Sequence, residues 1–160
     1  MTTEPQPDPV RELILLEEIE LDPDVTQATL AAQLGVAVGT VNWHLKRLVS
    51  KGYVKVKRAQ RRKLRYIITP EGIALRARLT LNYIETSMRL YRRTRQRVLE
   101  ILQEIQEAGC DRVRIQGEGD IAEICRLTCL EQGVAVVEAS GAPILEVHGM
   151  QVQLLWEVTA

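Results

Sequence analysis

At residues 69–75, "TPEGIAL" opens a stretch that meets no further helix breaker until Gly109. Ala74, Ala77, Leu81, Ile84, Met88, Tyr91, Val98, Leu102 and Ile105 recur along it at alternating spacings of three and four, and Arg95 alone interrupts the seam. That period is helical. Thr69 can cap the helix, Pro70 suits its first turn, and Glu71 sits near the positive end of the dipole. At 1.5 Å per residue the helix would be roughly 55 Å long. A small domain cannot cover such a length, so the seam needs a partner. A second copy of the chain, packed in coiled-coil fashion, is the simplest. Leu81, Ile84, Met88, Tyr91, Val98, Leu102 and Ile105 are then the dimerisation residues. The alternative is a break near Tyr91 that folds the helix back.

Upstream, residues 10–21 read as a helix with Leu15, Leu16 and Ile19 on one face, stopped by "DPDV". Thr26 can cap a short helix over 27–34, buried through Leu30, Ala31 and Leu34, and Gly35 can end it in the left-handed conformation. A third helix runs from about 37 to 51, with Val41, Leu45 and Leu48 as its core face and Gly52 at its end. In "YVKVKRAQRRKLRYIIT", alternating Val and Lys, a basic turn at "AQRR" and the run Leu64 to Ile68 predict a β-hairpin with one wet face.

Charge is segregated along the chain, although 21 basic and 21 acidic residues cancel. Residues 1–24 carry eight acids and one base, whereas residues 25–70 carry ten Lys or Arg and no acid. Residues 71–97 carry seven bases against two acids, and residues 98–160 eleven acids against three bases. A wholly basic block inside a folded region points to an anionic partner, most commonly nucleic acid. Helix, helix–turn–helix and basic hairpin, in that order, make a winged-helix DNA-binding module. Its third helix suits the major groove of double-stranded DNA, with base contacts from its N-terminal part. The outward positions are Val38, Gly39, Thr40, Asn42, Trp43, Lys46 and Arg47. Asn42 can pair with adenine, Thr40 can meet a base or a phosphate, and Lys46 and Arg47 can reach phosphate or guanine. Trp43 either faces outward or packs against the wing. His44 reads as a surface or backbone-contacting histidine without metal-ligand spacing. The wing set, Lys55, Lys57, Arg58, Arg61, Arg62, Lys63 and Arg65, would grip the flanking backbone or minor groove.

Those residues carry a family resemblance. "TQATLAAQLGVAVGTVNWHLKRLVSKGYVKVK" followed by "ITPEGIALRARLTLNYIETSMRLYRR" resembles MarR-type winged-helix regulators. It is most similar to the subgroup associated with exopolysaccharide gene clusters, where G-x-V-N-aromatic, L-K-x-L, K-G and L/I-T-P-x-G-I recur in order. Here these are Gly39, Val41, Asn42, Trp43, Leu45, Lys46, Leu48, Lys51, Gly52, Ile68, Thr69, Pro70, Gly72 and Ile73. The match spans about residues 10–97. It implies a homodimeric transcription regulator, with polysaccharide biosynthesis genes as targets. Ala37 departs from the pattern, since related helices often begin with a Ser cap, and the acidic tail is extra to it.

Beyond Gly109, "RVRIQG" reads as a strand, "EGDIAEICRLTCLEQG" as a helix and "VAVVEA" as a second strand; "PILEV" and "QVQLLWEV" form a hairpin around "HGM". "GEGDIA" is G-x-G-x-x-A, from Gly117, Gly119 and Ala122, and Glu138 lies 21 residues after Gly117. This is the spacing of a dinucleotide-binding βαβ unit, in which Gly117 and Gly119 approach a pyrophosphate and Glu138 binds ribose. Only about fifty residues follow Gly109, too few for a full doubly wound sheet, and Glu118 and Asp120 would repel phosphate. A scaffold that dimerises or binds a protein is therefore the preferred reading and a nucleotide the alternative. Cys125 and Cys129, four apart on one helix face, read as core rather than as a metal site or thiol sensor.

The expected fold is α+β. It comprises a flexible N-terminus (1–9), a winged helix-turn-helix (10–70), a long dimerisation helix (71–108) and a small α/β domain resembling half a Rossmann unit (109–160). The acidic, proline-containing start "MTTEPQPDP" is not a signal peptide and no run reaches membrane-span length, which points to a cytoplasmic protein. No nucleophile–base–acid set and no metal-ligand spacing is present, so an enzyme is not expected. The function expected is DNA-binding transcription regulation. Its rivals are a nucleotide- or redox-sensing regulator and a protein-interaction adaptor that no longer binds DNA.

Overall fold

The structure is a computed structural model that describes residues 5–60 and 63–157. It divides into two compact units, residues 1–85 and 86–160, and the boundary falls inside a helix.

The first unit begins with α1 (Pro9–Leu21). Asp8, expected in a flexible start, is already part of the fold: its carboxylate accepts from the amides of Val10 at 3.0 Å and Arg11 at 3.2 Å and caps α1. In α2 (Gln27–Leu34) the Thr26 hydroxyl accepts from the Thr29 amide, and Gly35 closes the helix at φ 64°. α3 (Val38–Ser50) follows, and its N-cap Ala37 makes no side-chain bond to the helix. The hairpin pairs β1 (Val54–Arg58) with β2 (Leu64–Ile68) antiparallel, Val54 opposite Ile68 and Arg58 opposite Leu64. The expected stripes of α1 to α3 supply the core: Leu15, Leu16, Ile19, Leu30, Val41, Leu45 and Leu48 are all 2 % exposed or less. Leu75 and Leu79, from the start of α4 (Pro70–Glu107), complete it.

The corner between α3 and α4 is tightly stitched. Thr69 donates its hydroxyl to the Gly52 carbonyl at 2.6 Å and accepts from the Gly72 amide at 3.1 Å, and the Thr69 amide donates to the Tyr53 carbonyl at 3.1 Å. Gly72 faces that same carbonyl. A Cβ there would lie 2.1 Å from the Tyr53 oxygen and 2.7 Å from Ile68 Cγ2. The contact is to backbone, which cannot swing aside, so only hydrogen fits.

The second unit contains the rest of α4, then β3 (Arg112–Gln116), α5 (Asp120–Glu131), β4 (Ala135–Val136), β5 (Ile144–His148) and β6 (Gln151–Leu155). Sheet order is β4-β3-β5-β6; β3 runs parallel to β4 and β5, and β6 returns antiparallel to β5. "VAVVEA" shrinks to a two-residue strand. Val113, Ile115, Leu145, Val147, Val152 and Leu154 share one sheet face and belong to the apolar core with α5.

The seam of α4 is corrected here. Val98, Leu102 and Ile105, expected to meet a second copy, are 0–2 % exposed and packed in the core of the second unit together with Ile101. Tyr91 is half-buried against the same core. Leu81, Ile84 and Met88 remain 61, 50 and 45 % exposed. The helix shows no break at Tyr91. No helix among the described residues is long and apolar enough to cross a membrane.

Gly72→Ala should destabilise the chain by about 1–3 kcal/mol, the usual cost of forcing extra atoms into a packed site. A chemical denaturation midpoint equal to that of the parent would refute the close approach.

Candidate nucleic-acid interface

On α3 the outward positions divide into free and engaged residues. Val38 is 48 % exposed, Gly39 and Lys46 are exposed, and Thr40 is half-buried. These four present a small, acid-free surface at the first turns of the helix. Asn42 and Arg47 do not simply project into solvent. The Asn42 side-chain oxygen accepts from Gln27 Nε2 at 3.4 Å, and the same Gln27 nitrogen donates to the Tyr66 hydroxyl at 3.1 Å. Asn42 is thereby tied to α2 and, through Gln27, to the wing strand β2. Arg47 donates to the carboxylate of Glu12, which is 6 % exposed on α1. This corrects Arg47 from a free DNA contact to a clamp that holds α3 on α1. A carboxylate this deep must be paired, and the guanidinium satisfies it.

His44 is likewise corrected. It is 1 % exposed, and neither ring nitrogen finds a hydrogen-bond partner among the described residues. Trp43, half-buried, meets it edge-to-face with ring centroids 4.9 Å apart. Burial lowers the His44 pKa below its ordinary 6.5; nearby Arg11 adds to the lowering and Asp8 opposes it.

The wing carries exposed Lys55, Lys57, Arg58, Lys63 and Arg65. Arg61 and Arg62 lie outside the described residues. Lys57 stands directly opposite Arg65 in the ladder, an unfavourable like-charge pair. Asp24, 3.7 Å from Arg65, offsets it in part. An anion lying over the wing would offset it more fully.

The buried pairing of Glu12, the bridging bonds of Gln27 and the burial of His44 were not foreseen from the sequence. A signal existed for two of them. Glu12 falls three, four and seven residues before Leu15, Leu16 and Ile19, and His44 falls between Val41 and Leu45; both occupy core positions of their helices. Gln27 had no such signal.

In the second unit, Gly117 (φ 134°) lies against β5, where a Cβ would come within 2.7 Å of Val147 Cβ. Packing alone thus accounts for this glycine. Gly119 (φ 85°) opens α5 with nothing near its missing Cβ, and Glu138 is exposed beyond β4. Burial pushes the thiols of Cys125 and Cys129 up to about 11, so both stay protonated at neutral pH and act as core side chains. Among the described residues no cluster of three or more His, Cys, Asp or Glu could hold a metal.

Residues 11–55 match the family model described as winged helix-turn-helix DNA-binding. No curated protein matches the chain. Among solved structures, the chain is similar to the PcaV transcriptional regulator from Streptomyces coelicolor, solved with its natural ligand, at 17 % identity and a TM-score of 0.48, covering 68 % of this chain and 80 % of that one. It is also similar to a MarR family protein of Mycobacterium tuberculosis solved with salicylic acid (24 %, 0.45; 59 % and 73 % covered). A third is a MarR transcriptional regulator from Methanosarcina mazei (23 %, 0.45; 62 % and 76 % covered).

Two outcomes are expected. Glu12→Gln should cost about 1–3 kcal/mol by uncharging the partner of Arg47, measured by denaturation. For His44, the lowered pKa means that the unfolded chain takes up a proton first as pH falls. Stability is then full above about pH 6.5 and declines on acidification. His44→Leu should flatten the decline between pH 7 and 5; an unchanged pH profile would remove His44 as its source.

Proposed function

We propose that the chain is a sequence-specific, DNA-binding winged-helix transcription regulator of MarR type, cytoplasmic and working as a homodimer. The observation that carries this reading is one continuous property of the first unit. The free face of α3 is open apart from half-buried Thr40, the lysines and arginines of the described wing are exposed, and neither element holds an acid. α3 is braced from behind by the Glu12 pair and the Gln27 bonds. A braced helix with a small, uncharged leading face and Lys46 behind it suits insertion into a major groove. The wing lysines and arginines suit phosphate or minor groove. The family model over residues 11–55 supports the same reading.

Val38, Thr40 and Lys46 are the groove-facing residues in this scheme, and Asn42 acts partly by fixing helix orientation. The homodimer reading rests on Leu81, Ile84 and Met88, large apolar side chains left exposed by the chain's own fold. Polysaccharide biosynthesis genes are the targets that the motif resemblance suggests, and a genome-wide binding profile tests that suggestion.

Replacing Lys55, Lys57 and Lys63 together with Gln should weaken preferred and random duplexes alike. It should also lower the slope of log affinity against log salt by about one for each phosphate that is no longer neutralised. Thr40→Val keeps the shape and removes the hydroxyl, and should cost about 1 kcal/mol on the preferred duplex alone. Affinity independent of salt in the parent protein would overturn DNA binding. For assembly, Leu81→Asp with Ile84→Asp should convert a sedimenting dimer to monomer without unfolding it, since neither side chain belongs to the chain's own core. A dimer that persists would move the interface elsewhere.

A further inference from the structure

The run "RLYRRTRQR" places five arginines within residues 89–97 of α4. Two of them have partners: Arg95 Nε donates to Glu131 at 3.0 Å, and Arg97 Nε donates to the Val152 carbonyl at 3.4 Å, with its Nη1 3.5 Å from Glu100. Arg89, Arg92 and Arg93 form no ion pair among the described residues. Arg93 and Arg97, one helical turn apart, wall a groove of about 320 Å³ together with Thr94. Its other wall is the edge strand β6 from Met150 to Gln153. That volume lies at the lower end of the range for small-molecule sites.

Thr94 is 4 % exposed as a residue and lines the groove; its hydroxyl bonds to none of the described residues and is not closed off from solvent. Two other threonines within helices, Thr80 and Thr128, return their hydroxyls to the carbonyl four residues earlier, at 2.9 and 2.7 Å. The edge strand adds a further donor. Gly149 and Met150 are the two-residue turn between β5 and β6, so His148 and Gln151 exchange the closing hydrogen bonds. By alternation the Val152 carbonyl and amide point away from β5, to the open edge. Arg97 takes the carbonyl, and the amide is left facing the groove. Two guanidiniums, the Thr94 hydroxyl and a strand amide therefore border one opening. Among the described residues no acid lines it, although residues 98–160 carry eleven acids against three bases. Met150, 68 % exposed, and Val152 give it an apolar side.

We propose that this groove binds a small organic anion. Its carboxylate or phosphate head sits between Arg93, Arg97 and the Thr94 hydroxyl, and its apolar body lies along Met150 and Val152. Two guanidiniums match the planar or tetrahedral oxygens of such a head, with bonds strengthened by charge.

The test is titration calorimetry of the full chain with benzoate, phenyl phosphate and inorganic phosphate, without DNA, so its result is independent of the regulator reading. Either organic anion, or both, should bind saturably and about tenfold or more tighter than inorganic phosphate; the tighter one identifies the head group. Arg93→Gln should weaken that binding about tenfold, Thr94→Val should weaken it less, and Arg92→Gln, which lies outside the groove, should leave it unchanged. Circular dichroism checks folding, and Arg93→Gln alone carries the test if Thr94→Val unfolds. Three results would overturn the proposal: no saturation by either organic anion up to about 10 mM, equal affinity for inorganic phosphate, or equal weakening by Arg92→Gln.

Discussion

The Glu12–Arg47 pair is the interaction on which the presentation of α3 depends. A helix can be offered to a groove only if the rest of the domain fixes its roll and tilt, and apolar packing by Val41, Leu45 and Leu48 is permissive in both. A buried carboxylate is not permissive. It demands its partner at one place, and losing that partner leaves an uncompensated charge in the interior. The bonds from Gln27 to Asn42 and Tyr66 add a second fixed point, joining α2, α3 and the wing. His44 runs against this economy: a polar ring closed in without a partner among the described residues is stability given up on the core side of the same helix.

How much of this could be read from the chain depended on the range of the interaction. Local signals sufficed for the caps at Thr26, Gly35 and Thr69, for the stripes of α1 to α3, and for the hairpins, because turn chemistry and periodicity act within a few residues. The long helix was legible as a helix, but its seam was not legible as two halves. Periodicity says that a face is apolar and does not say who covers it. Val98, Leu102 and Ile105 look the same in sequence as Leu81, Ile84 and Met88, and only the sheet and α5 in the folded chain distinguish them.

The same limit applies to the site. Arg47 and Lys46 are adjacent basic residues, and composition treats them alike; a carboxylate 35 residues upstream engages one of them and leaves the other free. The glycine motif shows the converse. Gly117 fits a dinucleotide fingerprint by spacing, yet the approach of Val147 already requires a residue without a side chain there. Gly72 belonged to a recognised motif as well, and the carbonyl of Tyr53 gives its physical reason.

The boundary between the two units falls within α4, so both draw on one helical ladder. Leu75 and Leu79 anchor one end of that ladder, and Val98 to Ile105 anchor the other. Helical order is cooperative. Melting either core would strip the shared helix of its anchor on that side and expose its inner turns to fraying. Loosening either core is therefore felt in the turns of α4 that both of them hold.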